Sequence, residues 1–121
     1  MIKAIKFTSV PVRDQNKAVE FYTKGLGFKV VTDQPFSEKQ RWIELGIPGA
    51  ETRLVLFTPD GHENRIGDFT TISFVADNVE NTYEEMSKRG VKFLQPPKKE
   101  GWGTSAIFED QDGNKFVLSS K

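Results

Sequence analysis

The sequence predicts an α+β fold of two copies of one unit, each a strand, a helix and three further strands, whose sheets together form a curved cleft. Three observations point there. The strand, helix, strands order is readable at residues 5 to 57 and again at 69 to 118. Both helical segments start next to an aspartate and stop at a glycine. A polar stretch rich in chain breakers separates the copies. The expected organisation is a single domain, residues 1–121, with module one at 1–58, a linker loop at 59–68 and module two at 69–121. Either module alone is too small to bury its own apolar face.

The first strand is read at Ile5 to Val12 and the first helix at Gln15 to Gly25. Asp14 precedes the helix, where a short carboxylate accepts a bond from an otherwise unpaired amide of the first turn. Ala18, Phe21, Tyr22 and Gly25 recur at helical spacing and form one apolar stripe. Gly25-Leu26-Gly27 supplies the left-handed residue of a C-terminal cap. Three short strands follow, the middle one at Arg41 to Leu45 and the last at Leu54 to Phe57, with Thr32 to Lys39 read as a loop that is polar apart from Pro35-Phe36. Pro59 to Gly67 has neither a helical nor a strand period and reads as the connection.

The second copy begins with a strand at Phe69 to Ala76, and Asp77-Asn78-Val79-Glu80 reads as a capping box for a helix at Val79 to Arg89. Val79, Tyr83 and Met86 share its apolar face, and Gly90 closes it. Gln95 to Gly101 reads as a stiff, charged excursion ending at Trp102. Asp110 to Asn114 is a tight turn before the closing strand at Phe116-Val117-Leu118.

Composition narrows the function classes. The chain has 121 residues, 36% hydrophobic and 28% charged, enough for a modest core. Lysine plus arginine equals aspartate plus glutamate at 17 each, so no net field draws it to nucleic acid or an anionic membrane. With no cysteine, disulfides, thiolate nucleophiles and zinc-thiolate sites are all excluded. The segment Met1 to Lys6 lacks the apolar run of a secretion signal and nothing is long enough to span a bilayer, so a cytoplasmic location is expected. No phosphate-cradling glycine loop, dinucleotide fingerprint or nucleophilic serine arrangement is present.

Four segments carry a family resemblance: Val10-Pro11-Val12-Arg13-Asp14, Ala18-Val19-Glu20-Phe21-Tyr22, Leu26-Gly27-Phe28, and Asp110 to Leu118. Together they resemble the vicinal oxygen chelate superfamily, which holds glyoxalase I, the extradiol dioxygenases, the fosfomycin-modifying enzymes and the bleomycin-resistance proteins. The resemblance spans nearly the whole chain. It implies paired βαβββ modules, the glyoxalase/bleomycin-resistance fold, with curved sheets forming a cup, usually in a homodimer. It also implies, in most of the enzymes, one divalent metal held by histidine and carboxylate on the first and last strands of the modules.

Carried onto this chain, those ligand positions fall at Phe7, Val55, Thr71 and Val117. Phenylalanine and valine have no lone pair to donate, and a lone threonine hydroxyl is a poor ligand. Shifting a strand by one residue brings in Lys6, Leu54, Leu56, Ile72, Phe116 or Leu118, which are no better. No metal and no other cofactor is expected.

Strand alternation then assigns a cleft lining. Phe7 is accompanied by Ile5 and Ser9, Val55 by Phe57, Thr71 by Ser73 and Val75, and Val117 by Lys115 and Ser119. The result is an apolar floor with scattered hydroxyls, although each apolar residue alone also fits an ordinary core. Trp42 fits either core or ligand contact, while Trp102, between two glycines after a charged loop, has less claim on the core. The expected ligand-binding set is Phe7, Ser9, Trp42, Val55, Phe57, Thr71, Ser73, Trp102 and Val117. Arg41 and Arg53 are open either to a ligand carboxylate or phosphate or to plain solvent. His62, the only histidine, lies in the polar connection and is expected to be exposed, and Glu44 would need burial or a neighbouring charge to act as a base.

The leading expectation is metal-independent binding of a small, largely hydrophobic or aromatic molecule, without nucleic-acid or membrane partners, in a homodimer. The alternative is a glyoxalase- or dioxygenase-like enzyme whose catalytic groups have moved to Glu44 or His62. Elemental analysis of protein purified without chelator is expected to find no stoichiometric nickel, zinc, manganese or iron; a full equivalent of any would contradict the assignment of the four positions.

Overall fold

The computed structural model describes residues 1–121, and contacts divide them into two units, Met1–Ile66 and Gly67–Lys121. In the first, β1 (Phe7–Pro11) leads into α1 (Gln15–Glu20), followed by β2 (Lys29–Pro35), β3 (Arg41–Gly46) and β4 (Arg53–Phe57). The sheet order is β1-β4-β3-β2, with β1 parallel to β4 and the other pairs antiparallel. A parallel neighbour cannot be reached by a tight hairpin, so the chain must cross over one face, and α1 makes part of that crossing. The face it covers is the core face. Val10, Ile43, Leu45, Leu54 and Leu56 are fully buried there, with Ala18 and Tyr22 of the helical segment. Each such aliphatic side chain is worth roughly 1.5–3 kcal/mol of burial.

Local chemistry shapes the helix as the sequence predicts at its start and differently at its end. Asp14 Oδ1 accepts from the Lys17 amide at 3.0 Å. After Glu20 the helix widens into a π-helical turn at Phe21–Gly25. There the Thr23 hydroxyl donates to the Val19 carbonyl at 2.7 Å, the kind of back-bond that loosens a helical ladder. The left-handed residue is Gly27, at φ 79°, whose amide closes onto the Thr23 carbonyl. Gln15 ties the helix start to the sheet. Its Nε2 donates to the carbonyls of Arg41 (2.8 Å) and Leu56 (3.0 Å), and its Oε1 accepts from the Arg41 amide (3.0 Å).

The second unit repeats the plan with β5 (Phe69–Val75), α2 (Val79–Lys88), β6 (Lys92–Glu100), β7 (Gly103–Glu109) and β8 (Lys115–Ser119), in sheet order β5-β8-β7-β6. Again the first and last strands are parallel. Its core is aromatic: Phe108 stacks on Phe116 at 5.4 Å, Phe74 stacks on Phe108 and tilts against Phe116, and Phe93 joins Phe108 to Tyr83 of α2. The turn before β8 is held by Asp110, whose Oδ1 accepts from the amides of Asp112 and Asn114 while its Oδ2 accepts from Asn114 Nδ2 at 2.8 Å.

Three expectations are corrected. Thr32 to Lys39 is not wholly loop, because β2 runs to Pro35; Gln95 to Gly101 is mostly strand, because β6 runs to Glu100. Both strands lie at sheet edges and pair on one side only, so polar residues and prolines are tolerated, and the ladder slips between Gln95 and Lys98, where Pro96-Pro97 donate nothing. The cap of α2 is Asn78, which accepts from the Asn81 amide at 2.9 Å; no Asp77–Glu80 capping box forms.

Gln15→Ala would leave two carbonyls and one amide short of a partner. It is expected to lower stability by roughly 1–3 kcal/mol in urea unfolding, with the slope against denaturant unchanged.

Candidate functional site

Because α1 occupies one face of the first sheet, alternate residues project from the other. Along β1 these are Phe7 and Ser9, along β3 Trp42 and Glu44, along β4 Arg53, Val55 and Phe57. Register places Phe7 beside Arg53, Ser9 beside Val55, and Glu44 beside Val55 on its other flank. Phe7 meets Trp42 edge to face, with centroids 5.5 Å apart and planes at 84°; Phe36, from the β2–β3 connection, lies 6.0 Å from the same indole. The Trp42 Nε1–H donates to Glu44 Oε1 at 2.8 Å, and Glu44 Oε2 lies 3.5 Å from Arg53 Nη1. A continuous row results: two phenylalanines, an indole, a carboxylate and a guanidinium. Edge-to-face ring pairs contribute about 0.5–1.5 kcal/mol beyond area burial, and a hydrogen bond to a charged group about 1.5–3 kcal/mol.

The equivalent face of the second sheet carries Ser73, Ile107, Val117 and Ser119. Ser73 and Ile107 flank Val117 in register, and the Ser73 and Ser119 hydroxyls are 3.0 Å apart. Thr71 breaks the alternation. The register slips between Phe69 and Ser73, Thr71 has φ 62°, and its hydroxyl turns back to the Thr70 carbonyl. The gap in the ladder is bridged by the Thr70 hydroxyl, which donates to the Lys115 carbonyl and accepts from the Ile72 amide. A β-branched residue at positive φ is strained, and glycine is the usual occupant. Trp102 sits in the β6–β7 turn, 67% exposed.

The structure thus brings Phe7, Ser9, Trp42, Val55 and Phe57 onto one face of unit one, and Ser73 and Val117 onto one face of unit two. Val55 differs from the expectation in one respect: only 2% exposed, it is floor beneath its neighbours and not contact surface. Ile5 lies before β1, in the exposed N-terminal segment. Trp42 is not core, since its neighbours Ile43 and Leu45 fill that role on the opposite face. Arg41 points to the helix side, where its Nε donates to Asp33 Oδ1 at 2.9 Å. Phe36 was not foreseen as part of the cluster; a lone Pro-Phe in a polar stretch was its only trace in the sequence. His62 is exposed and Glu44 is committed to Trp42 and Arg53.

A depression of about 710 Å³ lies elsewhere in unit one, lined by Val12, Arg13, the Ser37–Gln40 loop, Thr58, Pro59, Asp60, Glu63 and Ile66. Its rim is charged and it has no aromatic wall, so it suits an apolar ligand less well than the Phe7–Trp42 row despite its size. Beside it, the backbone amides of Glu63 itself and of Gly61 hold the Glu63 carboxyl below the usual carboxylate range.

The chain's donor set does not fit a divalent cation. The four positions implied by the resemblance hold Phe7, Val55, Thr71 and Val117, and no group of three or more histidine, aspartate or glutamate side chains comes together. No helix is long and apolar enough to cross a membrane.

A family model described as the Glyoxalase/Bleomycin resistance protein/Dioxygenase superfamily matches residues 4–118. The YetH protein of Bacillus subtilis strain 168 is 39% identical over 118 residues, 98% of each chain. A member of the same superfamily from Sphaerobacter thermophilus superposes with a TM-score of 0.89 at 32% identity, covering 99% of this chain and 98% of that one. TnmS3, an antibiotic binding protein from Streptomyces sp. CB03234, superposes with a TM-score of 0.85 at 34% identity, covering 98% and 96%.

Single-tryptophan variants separate the two indoles. In Trp102→Phe the remaining Trp42 emission is expected to be quenched by iodide several-fold less than the remaining Trp102 emission of Trp42→Phe, since Trp42 is half-buried between rings.

Proposed function

The chain belongs to the glyoxalase/bleomycin resistance protein/dioxygenase superfamily, and from that premise we propose that it binds a small, largely hydrophobic or aromatic molecule without a metal ion. One observation carries the reading: the Phe7–Trp42–Phe36 row stands on a sheet face that its own helix leaves uncovered. Aromatic side chains offer large contact area with few rotatable bonds, so little entropy is lost when a flat molecule docks on them. The antibiotic-binding relative TnmS3 supports the same reading at the level of family and fold.

Phe7, Ser9, Trp42 and Phe57 are the proposed contacts of unit one over the Val55 floor, and Thr71, Ser73, Val117 and Trp102 those of unit two. Binding is expected to be stoichiometric, to draw enthalpy from ring stacking, and to proceed without turnover. An enzyme with relocated catalytic groups gains no support from the two residues that would have to serve. Glu44 is held between Trp42 and Arg53, and His62 is exposed in a loop where its side chain makes no hydrogen bond. A cytoplasmic homodimer belongs to the same proposal. The exposed Val30 and Val31 on edge strand β2, and Leu94 on edge strand β6, are apolar surface that assembly would cover.

A thermal-shift screen of planar aromatic compounds tests the binding role. A ligand at a hundred times its Kd stabilises the native state by about 2.7 kcal/mol, enough to raise the melting temperature by several degrees. The shift should shrink in Trp42→Ala for a ligand on the unit-one face and in Trp102→Ala for a ligand on unit two. A broad set that leaves the melting temperature unmoved contradicts the proposal.

A further inference from the structure

We infer that Arg53 makes this aromatic face selective for planar ligands carrying an ionised oxygen, a carboxylate or phenolate; the inference rests on the binding role proposed above and names its ligand class. The row ends in a polar pair whose members are not equivalent. Glu44 is the more occupied of the two: Oε1 accepts from the Trp42 indole at 2.8 Å and Oε2 faces Arg53 at 3.5 Å. Its side chain is only 17% exposed, so little of it faces outward.

Arg53 is the reverse. Its side chain is 42% exposed, and the single ion pair it makes, through Nη1, is longer than a good charge-assisted hydrogen bond. No side-chain hydrogen bond engages the remaining guanidinium nitrogens, which leaves most of a planar five-donor fork open at the edge of a ring cluster. Glu44 therefore acts as a positioning residue. It is itself fixed by the indole, and it biases the arginine toward the sheet without consuming its donors.

The position along the sheet completes the argument. Arg53 is the register partner of Phe7, the residue whose ring meets Trp42. A flat ring lying against Phe7 and Trp42 would bring a substituent on its edge within reach of the guanidinium. Arginine matches a carboxylate by two parallel N–H···O bonds, a geometry a neutral amide cannot reproduce with equal strength. The aromatic residues supply affinity for any flat molecule, and Arg53 supplies the discrimination.

The test uses 2-naphthoate and 2-naphthamide, which share a ring system and differ in charge, titrated into the unsubstituted protein by calorimetry. Naphthoate is expected to bind about tenfold more tightly, the size of one charge-assisted hydrogen bond on a partly exposed group. Arg53→Gln should remove that preference while leaving naphthamide affinity unchanged, and Arg53→Lys, which keeps the charge but not the fork, should retain part of it. Equal binding of the two probes to the unsubstituted protein overturns the role of Arg53 and leaves the binding proposal standing. Failure of both probes to bind at millimolar concentration overturns the role of Arg53, and the broad thermal-shift screen decides the binding proposal.

Discussion

Each sheet has two faces and one helix to cover them, and most of what distinguishes this molecule follows from that shortage. The parallel pairing of β1 with β4, and of β5 with β8, forces a crossing over one face, which then takes the fully buried aliphatic residues. What alternates with them must project from the opposite side. In unit one those residues are Phe7, Trp42, Glu44 and Arg53, two large aromatic side chains beside an ion pair. In unit two they are smaller, hydroxylic and aliphatic.

The scaffold under these faces is rigid for reasons that can be named. Gln15 links the helix start to β3 and β4 through three hydrogen bonds, and Asp110 with Asn114 closes the turn before β8 from inside. No buried side-chain nitrogen or oxygen lacks a partner. Buried polar groups that are fully satisfied specify a single arrangement, whereas half-satisfied ones would cost stability. The same logic extends to the surface row, where Trp42 orients Glu44 and Glu44 restrains Arg53 before any ligand arrives.

Family membership and chemistry separate cleanly in this chain. The fold is shared with proteins that range from enzymes to antibiotic binders, and a fold hosts function only through the residues placed on it. Here the strand positions implied for metal ligands carry two valines, a phenylalanine and a threonine. Thr71 shows that such a position is not inert backbone: it keeps positive φ in a slipped register, a geometry its side chain does not favour.

Periodicity and end signals were enough to read the repeated order of elements, the Asp14 cap and helix stops within Gly25-Leu26-Gly27 and at Gly90, because these depend on residues within one turn of each other. Residue types alone were enough to show that the implied ligand positions hold nothing better than one threonine hydroxyl. Alternation also placed Phe7, Ser9 and Val55 on one face correctly, since period two needs only local strand geometry. What the sequence left open was decided by contacts between distant strands. Edge position let β2 and β6 absorb polar and proline-rich stretches that read as loops, and β4's place between β1 and β3 buried Val55 beneath its neighbours. The joining of Phe36 to Trp42, and of Glu44 to Arg53, required the register of strands separated by loops of unreadable geometry. Local spacing carries which way a side chain points, but only the pairing of strands carries what it meets there.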